Sequence, residues 1–212
     1  MSGILKYIIA SQRKTVSRDK LTAVFWPDSD GKAAQNSLRV ALFELRRALA
    51  ALDMPFDSSK ALIAEDGDGL FVYRPEIIES DVSRFTALHE TLRSAGLARG
   101  DEVAALKELT TLYDGSYLDG VDTDEYAIER AHYMAVYVEA SYKLAEFYSG
   151  EGAAELTEGL IRKHLSIDPF DEKMCGILIE LYRNAGRARQ AATLKRQFRN
   201  NFEKVMGVKP EI

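Results

Sequence analysis

Apolar residues recur at helical spacing along most of this chain and alternate like strand residues only briefly. Leu5, Ile8 and Ile9 lie on one side of a first helix expected over residues 4–11. Lys14 and Thr15 break it. Ser17 can cap a second short helix, residues 18–25, whose apolar side is Leu21, Val24 and Phe25. The stretch Trp26-Pro27-Asp28-Ser29-Asp30-Gly31 reads as a loop, because Pro27 disfavours helix at Trp26. From Lys32 to about Leu52 runs the longest amphipathic pattern of this half. Leu38, Leu42, Leu45 and Leu49 recur there at steps of four, three and four, which makes one buried stripe. Residues 60–64 and 70–73 then read as two short strands, with the turn Asp66-Gly67-Asp68-Gly69 between them. Helix, helix, long helix and hairpin is the order of a winged helix-turn-helix.

Beyond residue 80 the pattern is helical almost throughout. Helices are expected near 81–96, 101–113, 124–149, 153–167, 170–185 and 187–205, punctuated by Gly150, Gly152, Pro169 and Gly186. Phe147-Tyr148 with Gly152 repeats as Leu181-Tyr182 with Gly186 at a spacing of 34, which is the tetratricopeptide period. Asp168-Pro169 closes the first unit. Pro75 interrupts the joint between the two styles. The expected fold is therefore mainly α, with a winged helix-turn-helix over residues 1–75 and a tetratricopeptide-like helical repeat over 76–212.

Composition narrows the picture. Cys175 is the only cysteine, so no disulfide can form within the chain. No run of about 18 apolar residues exists to span a membrane, and residues 1–12 lack the pattern of a signal peptide. A cytoplasmic location is expected. The formal net charge of −5 hides an asymmetry. Residues 1–60 carry 10 Lys and Arg against 6 Asp and Glu, a balance of +4, and the remainder carries 18 against 27, a balance of −9. A basic head on an acidic body is expected where only the head meets a polyanion.

The long helix holds the groups for that meeting. Asn36, Val40, Phe43, Glu44 and Arg47 fall opposite the leucine stripe, with Lys32, Arg39 and Arg46 on one flank. An α-helix fits the DNA major groove, where Arg can pair with guanine and Asn with adenine, and flanking arginines reach phosphates. The same face is also what an ordinary solvated helix presents. Phe43 can touch a thymine methyl or belong to a protein contact, and Glu44 would repel phosphate. Two readings therefore stand: a DNA-reading head, or a protein-interaction module that keeps the fold without binding DNA.

Catalysis, cofactors and metals are not expected. Asp114, Asp119, Asp122, Asp124 and Glu125 cluster in one loop and read as solvated groups and caps, with Asp122, Thr123 or Asp124 capping the following helix. His89, His132 and His164 are scattered, Cys175 lies on an apolar helix face, and no glycine-rich phosphate loop follows a strand. Tyr126, Tyr133, Tyr137, Tyr142 and Tyr148 spread round one helix; most read as packing with hydroxyls at the edge, which leaves one or two to line a partner groove.

Two stretches carry a resemblance. They are Thr15 to Asp28 (Thr-Val-Ser-Arg-Asp-Lys-Leu-Thr-Ala-Val-Phe-Trp-Pro-Asp) and Ala34 to Leu49 (Ala-Gln-Asn-Ser-Leu-Arg-Val-Ala-Leu-Phe-Glu-Leu-Arg-Arg-Ala-Leu). They resemble the DNA-binding head of SARP-type bacterial transcriptional activators, which join a winged helix to a "bacterial transcriptional activator domain". Ser80-Asp81 with Phe85, Tyr113-x-Gly115-x-x-Leu118, Glu129-Arg130, Asp168-Pro169-x-x-Glu172, Gly186-Arg187-x-x-x-Ala191 and Gly207-x-x-Pro210 resemble that second domain in order and spacing. The resemblance covers nearly the whole chain. It implies a DNA-reading face of Asn36, Arg39, Val40, Phe43 and Arg47, with phosphate contacts at Ser17, Arg18 and Arg46; Lys32 on the flank is a further candidate DNA contact. Lys60 and the Asp66–Gly69 turn would form the wing, and the loop Asp28, Ser29, Asp30, Gly31 would meet RNA polymerase. It further implies double-stranded DNA as partner, and a helical domain for dimerisation or other protein contacts. Trp26 and Leu45 are expected in the core. Such heads usually begin with a small β-sheet, and only Met1-Ser2-Gly3 precede the first helix here. Strands 60–73 are therefore expected to lack further partners.

Overall fold

The computed structural model describes residues 2–11, 14–53, 63–72, 79–94, 96–121 and 123–212. They form two compact units: Met1–Ser83 with Ser116–His132, and Arg84–Gly115 with Tyr133–Ile212. This division is not a single cut at 75/76, because a segment from deep in the second half belongs to the first unit. The expected joint at 74–78, Lys60 and Tyr73 lie outside the described residues.

In the first unit, helix α1 (Ser2–Ala10) buries Ile4, Tyr7 and Ile8, one turn apart. Strand β1 (Val16–Ser17) leads into helix α2 (Arg18–Phe25). The Ser17 hydroxyl caps α2, accepting from the Lys20 N–H at 3.1 Å. Helix α3 (Gly31–Ala50) starts at Asp30, whose carboxylate accepts from the Ala33 N–H at 2.8 Å. Strands β2 (Ile63–Asp66) and β3 (Gly69–Val72) complete a sheet of order β1-β3-β2, antiparallel throughout. Val16 stands opposite Leu70, and Ile63 opposite Val72.

The hairpin thus has a partner that its own residues did not announce. A two-residue strand carries no alternation, so β1 is invisible to periodicity. Two glycines make the hairpin possible. Gly67 holds φ at 58° in the turn, and any side chain at Gly69 would run into Thr15, whose Cγ2 lies 1.9 Å from where a β-carbon would stand.

The core of this unit joins Ile4, Ile8, Leu21, the four leucines of α3, Ile63, Leu70 and Val72 to Leu118 and Val121. Leu45 is buried as expected, and Trp26 packs half-buried against the same core. The Ser116–Tyr126 segment is fastened three ways. Its Glu125 accepts from the Tyr7 hydroxyl at 2.6 Å and pairs with Lys20 at 3.0 Å. Arg130 donates to the carbonyls of Val121, Thr123 and Tyr117 at 2.7, 2.8 and 3.0 Å. Tyr126 meets Tyr7 and Tyr117 edge to face.

The rest of the described chain is helical and makes up the second unit, except that residues 81–83 and 116–132 belong to the first. Helices α4 (Asp81–Arg93), α5 (Arg99–Leu112), α6 (Ala127–Gly150), α7 (Ala154–Ile167), α8 (Glu172–Asn184) and α9 (Ala188–Met206) match the periodicity closely. A 3-10 turn, Asp124–Tyr126, precedes α6, and of the three possible caps Thr123 is used. Phe85, Leu109, Tyr137 and Leu144 centre one core; Ile161, Met174, Leu178 and Phe198 centre another.

The repeat of 34 has a physical content. The Tyr148 carbonyl accepts from the Ala153 N–H at 2.9 Å, and the Tyr182 carbonyl accepts from the Arg187 N–H at 2.8 Å. Gly152 and Gly186, with φ of 68° and 72°, make the same left-handed helix end. The molecule is mainly α, a winged helix-turn-helix followed by tetratricopeptide-like helices. Of the tyrosines expected for the most part to keep their hydroxyls at an edge, Tyr137 buries its own beside Ser141 with no completed hydrogen bond.

Candidate nucleic-acid interface

Helix α3 faces two ways because of its leucines. Ala34, Leu38, Leu42, Leu45 and Leu49 are buried. Lys32, Asn36, Arg39, Val40, Phe43 and Arg47 are all exposed on the other side. The Arg39 guanidinium donates to the Asn36 side-chain oxygen at 3.1 Å, so each orients the other. Arg47 pairs with Glu44 at 2.5 Å, one turn back. That pairing removes Glu44 as an unbalanced negative charge on the face.

The starts of α2 and α3 meet in an open hollow of about 570 Å³. Ser17, Arg18, Lys32, Asn36 and Arg39 line it, together with Asp19 and Asp68. Residues at the N-terminus of α2 thus stand beside the first turns of α3, where a helix end favours an anion. Val40, Phe43 and Arg47 lie further along α3 and form a second patch. Asp28, Ser29, Asp30 and Gly31 form an exposed loop in which Asp30 also caps α3. The hairpin turn at Gly67–Asp68 is exposed as well.

One partner on this surface escaped the sequence. Glu65 of β2 accepts from Arg46 at 2.5 Å and from Arg18 at 3.0 Å. The hydrogen bond from Arg46 and the charges of both arginines outweigh burial and hold the Glu65 carboxyl below the usual range. Two of the expected phosphate contacts are therefore ion-paired within the protein. No spacing rule links Glu65 to either arginine.

A second polar cluster lies in the helical unit. His164 is fully buried, and its Nε2 lies 2.8 Å from Asp171. Asp171 also accepts from the Tyr142 hydroxyl at 2.6 Å and the Met174 N–H at 2.9 Å, so it caps α8. Burial raises the Asp171 carboxyl, but the hydrogen bonds from His164, Met174 and Tyr142 outweigh it and bring it down to about 2. Among the described residues His164, Asp168 and Asp171 bring donor atoms within 4.8 Å of one another. Asp171 is already satisfied, and Asp168 accepts from the Phe170 N–H, so this group fixes helix ends. Cys175 is buried, and burial pushes its thiol up to about 12, far from a reactive thiolate. The loop carboxylates are structural where they are engaged, Glu125 with Tyr7 and Lys20. No helix among the described residues is long and apolar enough to cross a membrane.

Residues 80–212 match the family described as bacterial transcriptional activator domain. A solved structure of Mycobacterium tuberculosis EmbR in complex with a low-affinity phosphopeptide is similar over 97% of this chain, with a TM-score of 0.59 and 18% identity. That likeness is one of fold, and this chain spans 55% of the EmbR chain. No curated protein matches.

Proposed function

Because this chain belongs to the bacterial transcriptional activator domain family, we propose that it is a cytoplasmic transcription regulator whose first unit binds double-stranded DNA. The carrying observation is the exposed face of α3, which presents Lys32, Asn36, Arg39 and Arg47 opposite a wholly buried leucine stripe. In this reading α3 enters the major groove, where Asn36, Arg39 and Arg47 meet base edges. Ser17, Arg18, Lys32 and Arg46 meet phosphates, and the hairpin turn serves as the wing. Lys60 would add a wing cation. The Asp28–Gly31 loop faces RNA polymerase, and the helical unit serves dimerisation or another protein contact. The role is regulatory rather than enzymatic.

Fluorescence anisotropy with a random-sequence duplex tests this reading. Binding should weaken with salt, Lys32→Ala/Arg46→Ala should make the log–log salt slope about two shallower, and Arg39→Ala/Arg47→Ala should weaken binding further. Absence of binding at low salt would sink it. A second reading, a protein-interaction module, is favoured by one observation: Glu65 already occupies both Arg18 and Arg46. Under it, the chain binds no duplex, and Glu65→Gln does not restore binding.

A further inference from the structure

Helix α3 leaves two large apolar side chains more than half exposed, Val40 at 54% and Phe43 at 62%. They are three residues apart, so they are neighbours on one surface, with β-carbons about 5–6 Å apart. Their setting is polar. Asn36 and Arg39 lie one turn before, and Arg47 one turn after Phe43. The carboxylate of Glu44, next to Phe43 in the chain, is balanced by its ion pair with Arg47.

We propose that Val40 and Phe43 read thymine through its 5-methyl group in the major groove. This inference rests on the DNA-binding reading above and adds the base class that the site selects. The occupant of an apolar spot ringed by guanidinium and amide groups must be apolar at its centre and anionic or hydrogen-bonding around it. An A·T pair meets that description. Its thymine methyl is the one apolar group that a base pair presents in the major groove, beside the adenine N6 and N7 that an asparagine can engage. Asn36 stands one helical turn from Val40 and can take that adenine while the apolar pair takes the methyl. A second copy of this chain fits less well. A two-fold contact centred on Phe43 would press Arg39 and Arg47 of one copy against the same charges of the other.

The test uses the full chain with an alternating A·T duplex and its counterpart in which uracil replaces thymine. These differ only by the methyl group. The thymine duplex should bind about fourfold more tightly for each methyl buried, about fifteenfold for two. Phe43→Ala with Val40→Ala should bind both duplexes equally, at about the affinity of the natural chain for uracil. An alternating G·C duplex should gain affinity when its cytosines carry a 5-methyl group, which occupies the same place in the groove. Both side chains are exposed, so the variants keep their core, and an unchanged thermal melt checks that. Equal binding of the thymine and uracil duplexes by the natural chain would overturn the methyl reading and leave DNA binding standing. So would a thymine preference that survives in the double variant, or a dimer that Phe43→Ala dissociates while the preference stays unchanged. Failure to bind any duplex at low salt would overturn the DNA reading, and this one with it.

Discussion

Glu65 and Asp171 are both acceptors of several hydrogen bonds, with opposite consequences. Glu65 is 42% exposed and is ion-paired with both Arg18 and Arg46. Glu65→Gln removes the negative charge and frees both guanidinium groups. Affinity for a random-sequence duplex should rise about threefold to tenfold at low salt, and the gain should fade as salt screens it. Unchanged affinity would mean that neither arginine reaches phosphate. Asp171 is 8% exposed and holds His164, Tyr142 and the start of α8. Asp171→Ala should cost about 3 kcal/mol in urea unfolding, since it removes a cap and strands a buried imidazole. Its carboxyl is held near 2, below the usual value of 3.8, so folding favours the ionised form. That contribution, about 2 kcal/mol, is complete above a pH of about 4 and is lost as the pH falls toward 2. A stability curve that stays flat through that range would contradict it.

Among elements, the segment between α5 and α6 shows how far a local motif can reach. In Tyr113-x-Gly115-x-x-Leu118, Tyr113 belongs to the core of the helical unit and Leu118 to that of the winged unit. The motif marks the place where the chain passes from one to the other. Leu118 holds a φ of 55°, a left-handed value that a leucine keeps only when its surroundings impose it. Arg130 braces the same segment through its contacts to the carbonyls of Tyr117, Val121 and Thr123. Arg130→Met should expose the amides of residues 116–126 to faster hydrogen exchange and cost the first unit about 2–4 kcal/mol. Protection equal to that of the natural chain would show that the apolar contacts of Leu118 and Val121 suffice.

For the molecule as a whole, the net charge of −5 sets the terms of any encounter with DNA. If the first unit binds DNA as proposed, attraction would depend on a few of its cations rather than on the overall field. With about four of them meeting phosphate, affinity should fall roughly a hundredfold for a fourfold rise in salt. A much weaker dependence in the same titration would point to contacts made by groups other than Arg18, Lys32, Arg46 and Lys60.

Periodicity and capping chemistry were enough to read the helices, the hairpin, the leucine stripe of α3 and the repeat of 34. Each of these is written in neighbouring residues, at spacings of two, three or four, or in a glycine that must end a helix. The exposed face of α3 was legible for the same reason, since burying the leucines leaves the opposite side to solvent. The pairing of β1 with β3, the hold of Glu65 on two arginines and the bond from Tyr7 to Glu125 were not. Tyr7 and Glu125 are 118 positions apart, and Glu65 lies 47 residues from Arg18. No local pattern encodes such distances. These contacts exist because packing one apolar core brings remote segments together, and buried or half-buried polar groups then find the partners that core packing has placed beside them.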